Sequence, residues 1–373
     1  MNNPPQSNEA PKPVGTCDGK TTQSHAGGPS NDEEQRGHHV ITATDLEYHH
    51  DDTSDHTWTE TYFLPIAVPE HHLLVTVYVV VRPVVGVMSA EVIAYGSLST
   101  TRSDLLYIDS QQHLPAPERF SRIEGTNGLS VIATKPPTDY RIDYVGYDDT
   151  EIHVDWKGIM EPFDIHDAKH SPLASGDAQS QAEGSAMGEA YKGHYDLTGR
   201  VTGTVKVRGR EFAVDTIDRM DHSWGPRHEL GFRYMNSISV QFGEDLAFRV
   251  LAKLDPDAPT GSDQTFAHGY VLNKGELLGL TGMKLETIRL DVAVISMDMT
   301  VWDIKGEEYV LHATADVGAP WTSYPSNVTW NSMMRWQYGH RVGHGVVMEH
   351  HPLPMVNARQ GRWWTDTPVG ISL

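Results

Sequence analysis

Residues 199–227, GRVTGTVKVRGREFAVDTIDRMDHSWGPR, contain the strand pattern that decides the fold. Val205 and Val207 precede the turn RGR, and Phe212 and Val214 follow it. An apolar residue at every second position places one face of a strand against a core. Two such runs joined by a short turn with a glycine predict an antiparallel β-hairpin.

The same period of two recurs along most of the chain. Ile142 and Tyr144 precede the turn GYDD, Ile152 and Val154 follow it, and MTVWDIKGEEYVLHA turns at Lys305-Gly306. Patterns of amphipathic helices are scarce. We therefore predict an all-β fold with two sheet-rich units, whose strand edges need closure or packing.

Composition divides the chain into four parts. Residues 1–40 are rich in Asn, Pro, Gly, Ser and Gln, cannot bury enough apolar surface to order, and are predicted to be a disordered tail. Residues 167–191 are small and polar, which predicts a linker with room for one short helix. The two β-domains are then predicted at 41–166 and 192–373.

Charge and cysteine content exclude several classes of function. The formal net charge is −21 and there is no basic stripe, so we expect no nucleic-acid partner. The single cysteine, Cys17, lies in the polar tail, so a disulfide framework is excluded and a catalytic thiolate is not expected. These features favour a neutral or apolar small-molecule partner.

Targeting and membrane segments are not predicted. The amino terminus lacks the basic and apolar regions of a signal peptide, so we expect a cytoplasmic protein. The most apolar stretch, LLVTVYVVVRPVVGVMSA at 73–90, contains Arg82, Pro83 and Gly86 and many β-branched valines. It predicts two strands and a turn, with no membrane span.

The motif DRMDHSWGPR at 218–227 concentrates polar and aromatic side chains where the predicted strand leaves its sheet. Two interpretations are open. In one, Asp and Ser cap backbone amides of a turn and the tryptophan fills the core. In the other, the motif is a chemical centre, in which an extended backbone points Asp221 and Ser223 one way and His222 and Trp224 the other.

The stretch 199–227 resembles the signature of the lipocalin-like proteins grouped with carotenoid 1,2-hydratase (hydroxyneurosporene synthase) and AttH, in which a hairpin leads to an Asp-His-x-Trp-Gly core. Looser similarity extends over about 45–355 and includes WTETYFLPIAVPE (58–70) and GHGVVMEHH (343–351). Ser223 stands where the carotenoid hydratases carry Asn, and the Gly-Pro-Arg continuation is closer to uncharacterised bacterial relatives of the group.

This resemblance implies two lipocalin-like antiparallel β-barrel or sandwich domains packed together around a ligand cavity. It also implies chemistry without a redox cofactor on apolar molecules: addition or removal of water, or cyclisation. Fungal decalin-forming Diels–Alderases and kievitone hydratase look related to this group at the level of the fold. Because one fold supports many reactions, the resemblance implies a class of chemistry and leaves the substrate open.

If the protein catalyses reactions of an alkene or alcohol by acid catalysis, roles can be assigned to the residues of the motif. Asp221 is the predicted proton donor, since a carboxylic acid among apolar groups keeps its proton near pH 7. His222 is its predicted acid–base partner, Trp224 would stabilise a cation through its ring, and Arg227 would orient a polar group of the substrate. The alternatives are an ion pair of Asp221 with Arg219 or Arg227, and ordinary core packing for His222 and Trp224.

Second-rank candidates lie elsewhere. In WQYGHRVGHGVVMEHH (336–351), Tyr338 and His344 share a face if the strand is regular, and Glu349 ends the run. They are predicted to contact substrate, as are Glu60 and Tyr62 in WTETYF, unless they mark ordinary or edge strand positions.

The 21 histidines do not by themselves indicate a metal. Adjacent histidines on a strand point to opposite faces, and EYHHDDTSDH at 47–56 is not accompanied by HExxH or Cys-x-x-Cys spacing. We expect neither a metal nor another cofactor, although ligands that converge from separate strands would escape this test.

The sequence therefore predicts a cofactor-independent lyase or isomerase (a hydratase, dehydratase or cyclase) for a hydrophobic terpenoid, steroid or polyketide. A non-catalytic carrier of lipophilic ligands and a pericyclase of the Diels–Alderase type are the alternatives. A homodimer is compatible with all three.

Overall fold

The strand-rich prediction is confirmed by the computed structural model, which describes residues 40–50, 54–172, 174, 177–228, 234–255, 258–259 and 262–359. The predicted disordered tail, apart from Val40, lies outside these residues. Short helices are confined to α1 (Ala178–Gly184), α2 (Leu353–Arg359) and four 3-10 turns in the described part.

Eleven of the described strands form one antiparallel sheet in the order β4-β3-β2-β1-β11-β10-β8-β7-β6-β5, with β9 paired to β10. The sheet curves into a half-barrel around its own core. Its strands are β1 (Trp58–Val68), β2 (Leu73–Arg82), β3 (Val87–Tyr95), β4 (Tyr107–Pro115), β5 (Arg122–Glu124), β6 (Leu129–Lys135), β7 (Asp139–Val145), β8 (Glu151–Gly158), β9 (Phe163–Asp164), β10 (Gly193–Val207) and β11 (Arg210–Pro226).

The remaining eight described strands close into a barrel in sequence order, and the last strand pairs with the first. Closure leaves no unpaired edge, which is the usual solution for an antiparallel sheet of this size. These strands are β12 (Met235–Gln241), β13 (Leu246–Leu254), β14 (Gln264–Asn273), β15 (Glu276–Leu290), β16 (Ala293–Asp303), β17 (Glu308–Trp321), β18 (Asn327–Tyr338) and β19 (Arg341–Pro352).

The hairpins predicted from the period of two are present. The 73–90 stretch forms β2 and β3, GYDD connects β7 to β8, and Lys305-Gly306 lies between β16 and β17. No helix among the described residues has the length and apolar character needed to cross a membrane.

The change from one sheet to the other does not coincide with the boundary expected at residue 192. Strands β10 and β11 belong to the first sheet, where β10 pairs with β8 and β11 pairs with β1. The chain therefore passes from the first sheet to the closed barrel between Pro226 and Met235. Residues 167–191, the expected linker, contain α1 and a 3-10 turn at Gly188–Tyr191.

Three apolar layers hold the molecule together. One fills the half-barrel and includes Val77 and Trp156, and another fills the closed barrel and includes Phe248 and Trp330. The third lies between the half-barrel and the barrel, where Phe63 and other apolar side chains of the first sheet pack against apolar side chains of the second. Strand β11 separates the first layer from the third, so its two faces look into two different environments.

Candidate functional site

The motif at 218–227 lies in the middle of the first sheet. The sequence suggests that the strand leaves the sheet there, but β11 continues to Pro226 with β10 on one side and β1 on the other. The turn is therefore wrong, whereas the part of that interpretation that packs Trp224 against a core is confirmed. The side chains alternate as the extended backbone requires, so His222 and Trp224 face the core of the half-barrel while Asp221 and Ser223 face the closed barrel.

Glu60 and His222 form a buried pair on the half-barrel side. Both are 0% exposed, and Nε2 of His222 lies 3.2 Å from Oε2 of Glu60. Glu60 also accepts hydrogen bonds from the backbone N–H of His49 at 2.7 Å and from the indole of Trp58 at 3.0 Å, and Nδ1 of His49 lies 3.2 Å from its Oε2. The β1–β11 register places Glu60 opposite Trp224 and brings these groups together.

The pair has one charged and one neutral member at pH 7. Burial raises the pKa of Glu60, but hydrogen bonds from His222 and His49 outweigh burial and lower that pKa to about 2. Burial lowers the pKa of His222, and its bond to Glu60 restores only part of the difference. Because an ionised carboxylate can only accept, Nε2 of neutral His222 carries the ring proton and Nδ1 presents a lone pair.

Aromatic rings surround this imidazole. The ring centroid of His222 lies 4.6 Å from that of Phe120, 5.0 Å from that of Tyr62 and 5.4 Å from that of Tyr195. Trp224 stacks on His49, with centroids 3.8 Å apart and an interplanar angle of 3°. Among the described residues Nδ1 of His222, Nε2 of His49 and the hydroxyl of Tyr62 have no hydrogen-bond partner.

Gly193 leaves the space that Trp224 occupies, and Gly225 leaves room for the neighbouring 3-10 turn at Gly188–Tyr191. A Cβ on Gly193, which pairs with Trp224 across β10 and β11, would lie 2.0 Å from the indole. Gly225 has a φ of +147°, and a Cβ there would lie 2.2 Å from the carbonyl oxygen of Glu189. Position 225 of the motif is therefore glycine because both its backbone angle and the neighbouring carbonyl oxygen exclude a side chain.

We expect Gly193→Ala to displace Trp224 from His49 and to destabilise the fold by about 1–3 kcal/mol through overpacking. Thermal unfolding measures the loss of stability, and a crystal structure of the variant measures the indole position. Gly184→Ala is the matched control, because a Cβ at Gly184 meets nothing within 4 Å. Equal melting temperatures for the two variants would contradict the packing argument.

A metal at this cluster has to be considered, because His49, Glu60 and His222 offer ligand atoms within 4.8 Å of one another. Two imidazoles and a carboxylate suit divalent transition metals. Histidine ligands, however, almost always donate their second ring N–H to a neighbouring group, and the second nitrogens of His49 and His222 have no such partner in the described part of the chain. The cluster fits an acid–base pair better, and the absence of a metal stays a prediction.

Asp221, the expected proton donor, does not lie beside the indole. It faces away from His222 and Trp224, and its carboxylate forms an ion pair with the buried guanidinium of Arg219. Arg219 also bonds to Asp196 at 2.8 Å, so the alternative of an ion pair describes Asp221 correctly. The expected relay between Asp221 and His222 is wrong, because the sheet itself separates the two side chains.

Asp218, which the sequence suggests only as a turn residue, is the buried acid on β11 with a raised pKa. It is 0% exposed and accepts the backbone N–H of Ala67 at 2.8 Å, where β1 and β11 separate. Burial raises the pKa of Asp218 to about 7, although the hydrogen bond from Ala67 offsets part of this rise.

The raised pKa of Asp218 predicts a specific pH dependence. In the unfolded chain this carboxyl ionises near 3.8, so its contribution to stability is present below that pH and is lost as pH rises towards 7. We therefore expect Asp218→Asn to raise the melting temperature relative to the wild type more at pH 8 than at pH 4. Melting curves across this range test it, and a pH-independent difference would contradict it.

The remaining candidates lie apart from the Glu60–His222 pair. Trp336 and Tyr338 belong to β18 and His344 to β19, because residues 336–351 form a hairpin and not a single regular strand. His344 bonds to Ile217 and Thr216 on β11, and burial lowers its pKa to about 4.

Tyr338 and Glu349 belong to the closed barrel. Tyr338 contacts Phe242 and Tyr309 at one end. Glu349 lies inside and forms an ion pair with Arg289; burial raises the pKa of Glu349, but Arg289 outweighs burial and lowers it to about 2.

The structure therefore unites Glu60, His222 and Trp224 from the predicted set. Tyr62, the other candidate in WTETYF, lies beside them, and the structure adds His49, Phe120 and Tyr195, which the sequence analysis does not propose. Tyr195 lies opposite His222 in the β10–β11 register, so a full hairpin register would have found it. His49 stands out in the sequence only as part of a histidine-rich stretch, and no local pattern connects it to residue 222.

Comparison with solved structures gives several overall similarities, which include the following two. Kievitone hydratase from Nectria haematococca is 9% identical, with a TM-score of 0.48 and coverage of 84% of this chain and 96% of that one. An AttH-like protein from Nitrosomonas europaea is 11% identical, with a TM-score of 0.50 and coverage of 82% of this chain and 95% of that one. The AttH similarity shows a shared fold, as expected from the sequence resemblance.

No curated protein sequence matches this chain. One family model matches residues 43–353, which include both sheets and every member of the Glu60–His222 cluster. The chain therefore belongs to the family described as a domain of unknown function, DUF7064.

Proposed function

We propose that this protein is an acid–base lyase or isomerase that acts on a hydrophobic small molecule at His222. The observation that carries the proposal is a neutral imidazole that an ionised carboxylate orients and whose Nδ1 has no hydrogen-bond partner within the described residues. A base of this kind, held among aromatic rings, is suited to removing a proton from an apolar substrate.

The chemistry proposed is dehydration or its reverse. Nδ1 of His222 takes a proton from the carbon next to a carbinol, the C–O bond breaks, and the hydroxyl leaves as water after it receives a proton. Glu60 stabilises the imidazolium that forms. Tyr62 is the proposed donor to the leaving oxygen, because its ring lies 5.0 Å from that of His222 and its buried hydroxyl has no hydrogen-bond partner among the described residues. Burial raises the pKa of Tyr62 well above the ordinary value, so the tyrosinate that forms takes back a proton from the imidazolium of His222 as the cycle closes. Hydration runs through the same groups in reverse.

The aromatic surroundings support an apolar substrate. Phe120, Tyr62 and Tyr195 lie around the imidazole, and Trp224 with His49 forms a flat stacked surface beside it. Flat rings of this kind pack well against polycyclic or polyunsaturated carbon skeletons. If a cation develops during loss of water, the same rings stabilise it by about 0.5–2 kcal/mol.

The test uses isotopes to follow the reaction across a panel of candidate substrates. Purified protein is incubated with terpenoid, steroid and polyketide alcohols and alkenes in H₂¹⁸O and in D₂O, and products are analysed by mass spectrometry. A hydratase incorporates ¹⁸O, a dehydratase loses the mass of water, and an isomerase incorporates deuterium. Ligand binding without isotope exchange would identify a carrier, and cyclisation without exchange would identify a pericyclase; either result contradicts the proposal.

Metal dependence is tested in the same assay. We expect activity to survive dialysis against a chelator, with metal content followed by mass spectrometry. If activity disappears on chelation and returns with one divalent metal, then His49, Glu60 and His222 are ligands and the acid–base assignment fails.

A further inference from the structure

The proposed base is closed off from solvent. His222 and Glu60 are both 0% exposed. The ring of Phe120 stacks on that of His222 with centroids 4.6 Å apart, and Phe120 is itself 0% exposed. A substrate therefore reaches the imidazole only after some of the side chains that cover it have moved.

The cover comes from two segments outside the strands. One is residues 41–50, which precede β1, and the other is residues 116–121, which connect β4 to β5. Ile41 and Leu46 of the first segment and Phe120 of the second belong to the apolar core of the half-barrel. We refer to these two segments together as the lid.

Side chains join the two segments of the lid. Glu47 forms an ion pair with Arg119 and accepts a hydrogen bond from Oγ of Ser121 at 2.6 Å. The hydroxyl of Tyr48 donates to the carbonyl oxygen of Pro117 at 2.7 Å. The side chain of Arg119 is 69% exposed and that of Glu47 is 30% exposed, so water and salt compete for this ion pair.

The backbone of the lid is attached to the sheet at few points. Within the described structure, the backbone hydrogen bonds of residues 41–50 stay inside the segment, around the 3-10 turn at Ala43–Leu46. Residues 116–121 form backbone hydrogen bonds to neighbouring segments at Ala116 and Ser121, their two ends. Segments with so few backbone bonds to the rest of the molecule open at a lower free energy than strands do.

Opening of the lid uncovers an apolar surface. The rings of Tyr62, Tyr195 and Trp224 lie around His222, so they and the inward face of the lid would meet water. That exposure is unfavourable, but an apolar molecule that enters covers the same surface again. A polar molecule does not offset this cost, so the lid favours hydrophobic substrates.

Arg227, which the sequence analysis expects to orient a polar group of the substrate, lies on the other face of β11. It donates to Oγ of Ser223 at 2.6 Å and to the hydroxyl of Tyr324 at 2.8 Å, between the half-barrel and the closed barrel. The sheet therefore separates this guanidinium from the surface beneath the lid.

We propose that the lid opens to admit a hydrophobic substrate to His222 and that the Glu47–Arg119 ion pair is the latch that holds it shut. Opening is a local event that leaves both sheets in place, as in other enzymes whose loops close over a substrate. The inference rests on the proposed function of His222, because it is the route by which a substrate reaches that base.

The experiment measures how fast diethyl pyrocarbonate modifies His222, with the modified peptides quantified by mass spectrometry. The matched control is His351 on β19, outside the lid. It is 1% exposed, its Nε2 lies 3.0 Å from Glu349, and its Nδ1 has no partner among the described residues. We expect His222 to react about tenfold faster than His351, because local opening precedes global unfolding. Equal rates would overturn the proposal.

A reversible cross-link tests the latch. Glu47→Cys and Arg119→Cys are combined with Cys17→Ser and joined by a bis-maleimide that contains a disulfide. We expect modification of His222 to stop in the cross-linked protein and to return when a reductant cleaves the linker. His312, whose side chain is 61% exposed, should react equally in both states. An unchanged rate at His222 after cross-linking would overturn the proposal.

Glu47→Gln weakens the latch without a linker and should raise the rate at His222 about two- to fivefold, the range expected for an exposed ion pair. Glu124→Gln is its control, because the Glu124–Arg122 pair is also exposed and lies outside the lid. Cross-linked protein that retains turnover would remove the lid and keep the reaction. A lid that opens in a protein without turnover would remove the reaction and keep the lid.

Discussion

His222→Gln is expected to lower kcat by about 10²–10⁴-fold, the range that a positioned general base contributes. Glutamine retains a donor that can reach Glu60 but lacks the lone-pair nitrogen that accepts the proton. Stability should change less than activity, because the replacement is polar and of similar length. The assay is turnover of whichever alcohol or alkene the isotope panel identifies, with substrate affinity measured separately.

His312→Gln is the matched control for this prediction. His312 also lies against a carboxylate, Asp298, but both side chains are more than half exposed. We expect its kcat to equal that of the wild type. Wild-type turnover in His222→Gln would remove His222 from the reaction and with it the proposed mechanism.

Glu60→Gln separates positioning of the base from a structural role. Without the negative charge, the imidazolium of His222 loses its stabilisation, so the pKa of the base falls in the free enzyme. The acid limb of the kcat/KM profile should then move to lower pH while the maximum rate decreases. A uniform loss at every pH, with an unmoved acid limb, would indicate that Glu60 only supports the fold.

Asp196→Asn is expected to cause the largest loss of stability, about 3–5 kcal/mol, because it removes one partner of a buried ion network. Asp196 is 0% exposed and accepts from Arg219 and Arg249, each at 2.8 Å. Its replacement leaves two guanidinium groups with only one carboxylate, that of Asp221. Since Arg249 lies on β13 and Arg219 on β11, the loss should weaken the contact between the two sheets.

Urea and thermal unfolding measure this effect. Asp215→Asn is the control, because the Asp215–Arg200 pair is exposed and such pairs contribute little. Combining Asp196→Asn with Arg249→Met should recover part of the stability, since the double variant restores the charge balance. If the two single variants melt at the same temperature, the buried network does not hold the sheets together.

The fold was largely predictable because side-chain alternation is a local property of strands. The β2–β3, β7–β8 and β16–β17 hairpins follow from patterns within short stretches of sequence. The predicted domain boundary at residue 192 does not match the boundary between the sheets, because side-chain alternation does not indicate which strands pair with each other. Strands β10 and β11 join the first sheet through β8 and β1, and that pairing is made across long stretches of chain.

The site was predictable only in part for the same reason. Alternation correctly places the side chains of Asp221 and His222 on opposite faces of a strand. The expected proton relay between them is wrong because the sheet that contains this strand separates the two side chains. Membership of the carotenoid hydratase group within the shared AttH-like fold, like the reaction itself, stays a prediction.

The sequence by itself therefore determined the strands, their turns and the face on which each side chain of the motif lies, because these depend on the geometry of an extended backbone. The tertiary structure decided the partners. Glu60 meets His222 across 162 residues of chain only through the β1–β11 register, and burial in that register then sets which group is charged. Neither long-range strand pairing nor exclusion of water is written in the order of neighbouring residues.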